Sequence, residues 1–148
     1  MIGRRRRAVY QGEGRILVPF SGALDPTALR AALRIARAEE ATLVPAYLLV
    51  VPLQYDEDSP RTDHVAVALP LLEAVELEAA RRGVPVDARI EKGRSLTHAL
   101  RRLWEVEAFD RIVASSSSFT AKELAWLLTN APAETIVLRP ASAVAASL

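Results

Sequence analysis

The chain has 148 residues, 51% of them hydrophobic and 25% charged, with a net charge of +1. That composition is globular, of single-domain size, and argues against wholesale disorder. The absence of cysteine excludes disulfide scaffolds, zinc–thiolate sites and thiol nucleophiles, and 5% aromatics is too little for a base-stacking platform.

The charge is unevenly placed. Arg4, Arg5, Arg6 and Arg7 against Glu13 give residues 1–14 a net +3, which leaves −2 on the remainder. The body therefore lacks the basic surface of a duplex binder, and no nucleic-acid partner is expected. The arginine run reads as a solvated basic tail. The longest apolar run, 46–53, falls short of the roughly 20 residues a membrane span needs. No apolar segment follows the arginines, as a signal peptide requires. The expectation is a soluble cytoplasmic protein without membrane insertion.

The elements alternate strand and helix five times. Residues 16–20 form a short apolar run closed by Ser21 and Gly22, the pattern of a buried strand. Asp25 and Pro26 then open a helix, Asp as N-cap and Pro at the first helical position. Leu29, Leu33, Ile35 and Ala36 carry its apolar stripe to about residue 40. A second strand covers 42–51. A polar loop over 54–63 holds Asp56, Glu57, Asp58, Pro60 and Asp63, without the glycine and terminal glutamate of a calcium loop.

The next helix is predicted over 64–82, with Val67, Leu71, Leu72, Val75 and Leu77 as apolar positions. Gly83 and Pro85 stop it. Alternation over 86–90 predicts an edge strand. Ser95 caps a helix to about 107, with Leu96, Leu100, Leu103 and Trp104 inward. A strand over 111–114 follows. Thr120 and Glu123 have capping-box spacing, and the helix they open carries Leu124, Leu127 and Leu128 inward to about 130. Residues 135–138 form the fifth strand, and an Ala/Ser-rich tail closes the chain. Alternating strands and helices imply βαβ units and a parallel sheet covered on both faces.

Several segments are similar to those of the universal stress protein family, in family order. The segment Arg15-Ile-Leu-Val-Pro-Phe-Ser-Gly resembles its first strand. Gly83-Val-Pro-Val with Glu91-Lys-Gly resembles the third strand and its exit, and Phe109-Asp-Arg-Ile-Val the fourth. Asn130-Ala-Pro-Ala-Glu-Thr-Ile-Val-Leu-Arg-Pro resembles the close. The resemblance covers residues 15–140, flanked by tails at 1–14 and 141–148. It implies a single-domain three-layer α/β sandwich, Rossmann-like and related to the adenine nucleotide alpha hydrolases, with a five-stranded parallel sheet in the order 3-2-1-4-5. It also implies a homodimer through antiparallel pairing of the fifth strand at Thr135, Ile136, Val137 and Leu138.

In that strand order, ligands bind beyond the carboxyl ends of strands one and four. Ser21 and Gly22 flank the place on one side, and Ser115, Ser116, Ser117 and Ser118 on the other. Nucleotide-binding members of the family carry an Asp at the end of strand one and Gly-x-x-Gly-x9-Gly-Ser/Thr after strand four. Here Ser21 replaces the Asp, no glycine follows Gly93, and the stretch to Pro132 is shorter. Backbone curled around a phosphate takes conformations that residues with a Cβ resist. The expectation is a non-enzymatic, homodimeric regulatory or stress-response protein with no cofactor and an unknown protein partner. The alternative is a regulator that binds ATP, AMP or another anion in a reduced pocket at these six residues.

The remaining candidates carry little. His64 and His98 lack the further ligands of a metal site. Ser21 has no Gly-x-Ser-x-Gly frame and no placed base, so it is not read as a nucleophile. Trp104 and Trp126 read as packing residues, and Tyr47 as a sheet residue that could line the cleft.

Overall fold

The computed structural model describes residues 14–55 and 62–140, with side chains from residue 65 in the second stretch. The arginine run, the acidic positions 56–58 and 63, His64 and the closing tail lie outside the described residues or side chains. The elements are β1 (Arg15–Phe20), α1 (Pro26–Glu39), β2 (Thr42–Val50), α2 (Thr62–Arg81), β3 (Arg89–Gly93), α3 (Leu96–Val106), β4 (Arg111–Ser115), α4 (Ala121–Asn130) and β5 (Glu134–Leu138). A 3-10 turn, Ser116–Ser118, joins β4 to α4. All five strands are parallel, in the order β3-β2-β1-β4-β5.

Side-chain alternation along the central strands builds one core on each face of the sheet. Leu17, Val44 and Ile112 pack with Leu100 and Leu103 of α3 and Leu127 of α4. Ile16, Val18 and Leu43 point the other way, onto Leu33 and Ala36 of α1 and Val75 and Ala79 of α2. Near the carboxyl end, Phe20 meets Tyr47 edge-on with ring centroids 5.4 Å apart, over Ala68 and Leu72. Tyr47 is thus a buried sheet residue.

The helix starts form as their caps predict. Asp25 accepts from Thr27 N, Ser95 from His98 N, and Thr120 and Glu123 close a reciprocal capping box. In two helices the buried row departs from the apolar pattern, and in α4 one residue expected inward is exposed. In α2 the buried row is Ala68, Leu72, Val75 and Ala79, while Val67 and Leu77 are more than half exposed. In α4 Leu127 is buried and Leu128 is 59% exposed. Both helices carry leucine or valine on two sides, so the apolar pattern does not orient them. Ala68 and Ala79 are fully buried in the α2 row.

Two prolines set where ladders stop. Thr42 N donates to Gly14 O at 2.8 Å and Leu43 N to Pro85 O at 2.9 Å. Amides alternate sides along a strand, so position 45 faces β3, where its N–H would donate to the carbonyl of Asp87. Pro45 has no N–H. The strand expected over 86–90 is therefore split. A lone bridge joins Leu43 to Val86, and continuous pairing begins only at Ala46↔Arg89 with the partner offset unchanged. By the same alternation position 19 faces β4, and Pro19 offers it no donor. The β1–β4 ladder comprises Ile16↔Arg111 and Leu17↔Ile112 and goes no further, whereas β1 stays paired with β2 to Phe20↔Tyr47. Strands one and four thus lose their hydrogen bonds where the strand order reverses.

At the amino edge, charges tie the layers together. Arg15 and Arg89 each pair with both Asp87 and Glu107. The Arg89 guanidinium, hydrogen-bonded to Asp87, is the largest influence holding that carboxyl below its usual 3.8. Gly93, at the β3 exit, lies so close to α3 that a Cβ there would come within 2.7 Å of Ala99 N.

Candidate functional site

The carboxyl ends of β1 and β4 lead into two short connections. Beyond Phe20, Ser21 is half-buried and Gly22 is exposed with φ +75°, a conformation glycine adopts without strain. The chain then returns inward, and Asp25 is buried at the start of α1. On the other side Ser115 is the last residue of β4 and is buried. Ser116 is half-buried, Ser117 exposed and Ser118 buried.

A hydrogen-bond chain joins the two sides. Ser115 Oγ donates to Asp25 Oδ2 at 2.6 Å. Asp25 Oδ1 accepts from Thr27 N at 2.9 Å, so the two carboxylate oxygens serve two different elements. Ser115 Oγ also accepts from Ser117 N at 3.1 Å and lies 2.8 Å from Ser117 Oγ. A serine hydroxyl has one proton and two lone pairs. The Ser115 proton goes to Asp25, so Ser117 is the donor in the contact between hydroxyls. Ser115 is then saturated, with one bond donated and two accepted, and Ser117 has spent both its hydroxyl proton and its N–H. Ser118 Oγ is buried with no hydrogen-bond partner among the described residues.

The six residues named from sequence thus fall into two groups. Ser115 and Ser117 form one network, and Ser116, Ser118, Ser21 and Gly22 stand outside it. Asp25 belongs to the network and sequence reasoning missed its second role. The signal was there in part: Asp25-Pro26 marked a cap, but a cap uses only one carboxylate oxygen.

The next helix start offers no vacant anion site. Glu123 accepts from Thr120 N at 2.8 Å and Thr120 Oγ1 from Glu123 N at 3.1 Å, which places a carboxylate where the dipole of α4 favours negative charge. His98 is engaged locally, its Nδ1 accepting from Arg94 N at 3.2 Å. Arg94 Nη1 lies among the carbonyls of Val51, Pro52 and Tyr55, tying the chain beyond β2 to the start of α3. Among the described residues no helix is long and apolar enough to cross a membrane.

The parallel sheet in this order, covered on both faces and with its crevice between β1 and β4, is Rossmann-like, and the chain shares its fold with solved universal stress proteins. Among solved structures, it is similar to a universal stress protein family member from Burkholderia pseudomallei. Identity is 24% over 84% of this chain and 95% of that one, with a TM-score of 0.67. It is also similar to the Archaeoglobus fulgidus universal stress protein in complex with dAMP, at 14% identity over 86% and 98% of the chains and a TM-score of 0.66. A family member from Arabidopsis thaliana with AMP bound matches at 17% identity over 89% and 94%, with a TM-score of 0.63. No family model matches the sequence, and no curated protein does.

Proposed function

We propose that this chain is a universal stress protein-like regulator: non-enzymatic, homodimeric, cytoplasmic, and without the usual ATP-binding loop. The observation that carries the reading is the saturated Ser115. Phosphate recognition needs donors, whether hydroxyl or backbone N–H. Here the proton of Ser115 and both protons of Ser117 are consumed internally, and a buried carboxylate, Asp25, sits directly behind them. An anion entering beside it meets like charge at low dielectric and few free donors. Ser21 in place of the family's Asp and the absence of glycine after Gly93 support the same conclusion.

The regulator acts through protein contacts. Among the described residues strand β5 pairs only with β4 and has no partner on its other edge, which fits association of two copies through Thr135, Ile136, Val137 and Leu138. A second reading is favoured by the dAMP and AMP complexes of similar folds: ATP, AMP or another anion held by Ser21, Gly22, Ser116 and Ser118, with Ser115 and Ser117 released from their present bonds.

Calorimetric titration of natively purified protein with ATP and AMP, with mass spectrometry for co-purified ligands, separates the two. The proposal expects no heat and no ligand from a folded species of twice the monomer mass. Micromolar binding abolished by Ser116→Asp or Ser117→Asp would overturn it in favour of the second reading. A monomer at all concentrations would refute the β5 association.

A further inference from the structure

At the opposite end of the sheet from the β1–β4 crevice, a cleft of about 370 Å³ lies between the end of α3 and the turn into β5. Trp104, Phe109 and Pro132 give it apolar walls, and Glu105 and Glu107 line it as well. It is a shallow cleft open to solvent, its volume at the lower end of the roughly 300–1,000 Å³ range of small-molecule sites, with apolar walls and few polar groups.

The charge of this cleft has one sign. Helix α3 ends here, and its last turn contains no basic residue, so the partial negative charge of its terminal carbonyls is uncompensated from within the helix. Both carboxylate oxygens of Glu107 are occupied by Arg15 and Arg89. Glu105 is exposed and forms no ion pair with a described residue. Among the described residues no lysine or arginine lines the cleft. Its tryptophan is held rigidly, because Trp104 stacks on Trp126 at 5.4 Å and 4° and Arg101 covers the Trp126 ring at 5.4 Å. Aromatic faces attract cations, tryptophan most strongly.

From this combination we infer that the cleft binds a small organic cation, a protonated amine borne on an apolar body. The apolar body packs against Trp104, Phe109 and Pro132. The ammonium meets the Glu105 carboxylate and the carbonyl end of α3. An anion is excluded by the same charges, and a neutral analogue gains only the packing. The site stands apart from the serine network and is independent of whether that crevice holds a nucleotide.

The probe is phenethylamine, compared with 2-phenylethanol and phenylacetate of the same shape. Binding is followed by ¹H–¹⁵N chemical shifts, in which the Trp104 indole N–H is a direct reporter, and by tryptophan fluorescence. The amine is expected to shift residues 104–109 and to bind more tightly than the alcohol, with phenylacetate weakest. Glu105→Gln, an exposed change that leaves the Arg15–Glu107–Arg89 ion pairs intact, should weaken the amine about five-fold, the scale of one exposed charge contact, and leave the alcohol unchanged. Equal binding of all three probes, an unaltered amine affinity in Glu105→Gln, shifts mapping elsewhere, or no binding at millimolar amine would each overturn the assignment.

Discussion

Replacing Asp25 tests how the two sides of the crevice are joined. Asp25→Ala removes the N-cap bond to Thr27 N, 2.9 Å long, and the bond from Ser115, 2.6 Å long. Loss of a cap costs about 1 kcal/mol. A hydrogen bond to a charged group contributes about 1.5–3 kcal/mol, and Ser115 and Asp25 are 4% and 6% exposed, so water cannot readily replace it. The expected destabilisation is about 3 kcal/mol, with allowance for non-additivity. For a chain of this size that lowers Tm by about 9 °C. Asp25→Asn isolates the contribution of the charge. Its amide oxygen can keep the bond from Thr27 N–H, and its NH₂ can donate to Ser115 Oγ once the Ser115 proton turns to Ser117 Oγ. The bonds are then kept and the charge assistance is lost, at a cost of about 1 kcal/mol. Urea unfolding at fixed protein concentration, followed by far-UV circular dichroism and tryptophan fluorescence, measures each value. In the cycle with Ser115→Ala the coupling should reach about 1.5 kcal/mol. Additive single mutants, or an Asp25→Ala cost below about 0.5 kcal/mol, would show that the Asp25–Ser115 bond does not hold the crevice together, and would remove the main support for a closed site.

Three further outcomes follow from the packing and the edge charges. Leu127→Ala should cost about 3 kcal/mol, whereas Leu128→Ala, at 59% exposure, should stay within about 0.5 kcal/mol in the same urea assay. Pro45→Ala restores a donor opposite the Asp87 carbonyl, so the new amide at 45 should be protected in hydrogen exchange and stability should change by less than about 1 kcal/mol. Asp87 is held below 3.8 by Arg89 and Arg15, so its charged form stabilises the fold above its unfolded pKa. That contribution is lost as pH falls through the lower folded value. The urea-midpoint difference between wild type and Asp87→Asn, modest at pH 7 because the side chain is 40% exposed, should therefore vanish in strong acid.

Short-range signals were legible from the sequence. Asp25-Pro26, Ser95 and Thr120 with Glu123 marked three helix starts because caps are made between residues two or three apart. Alternating strand and helix patterns established the βαβ class, and ordered likenesses to a known family supplied the strand order that the structure has. The serine run was placed at the crevice by topology alone, since β4 must end beside β1 in that order.

What the tertiary structure decided lies at longer range. Pro45 was visible in the sequence, yet its effect on β3 depends on which neighbour its missing N–H faces, a matter of pairing between residues 43 positions apart. The inner faces of α2 and α4 were settled by the sheet they pack on, because each helix is apolar on more than one side. The bond between Asp25 and Ser115 spans 90 residues. Spacing along the chain identifies neither partner, and only the folded sheet, by bringing the start of α1 to the end of β4, joins Asp25 to two of the four serines, Ser115 and Ser117, in a network whose hydroxyl donors are already spent.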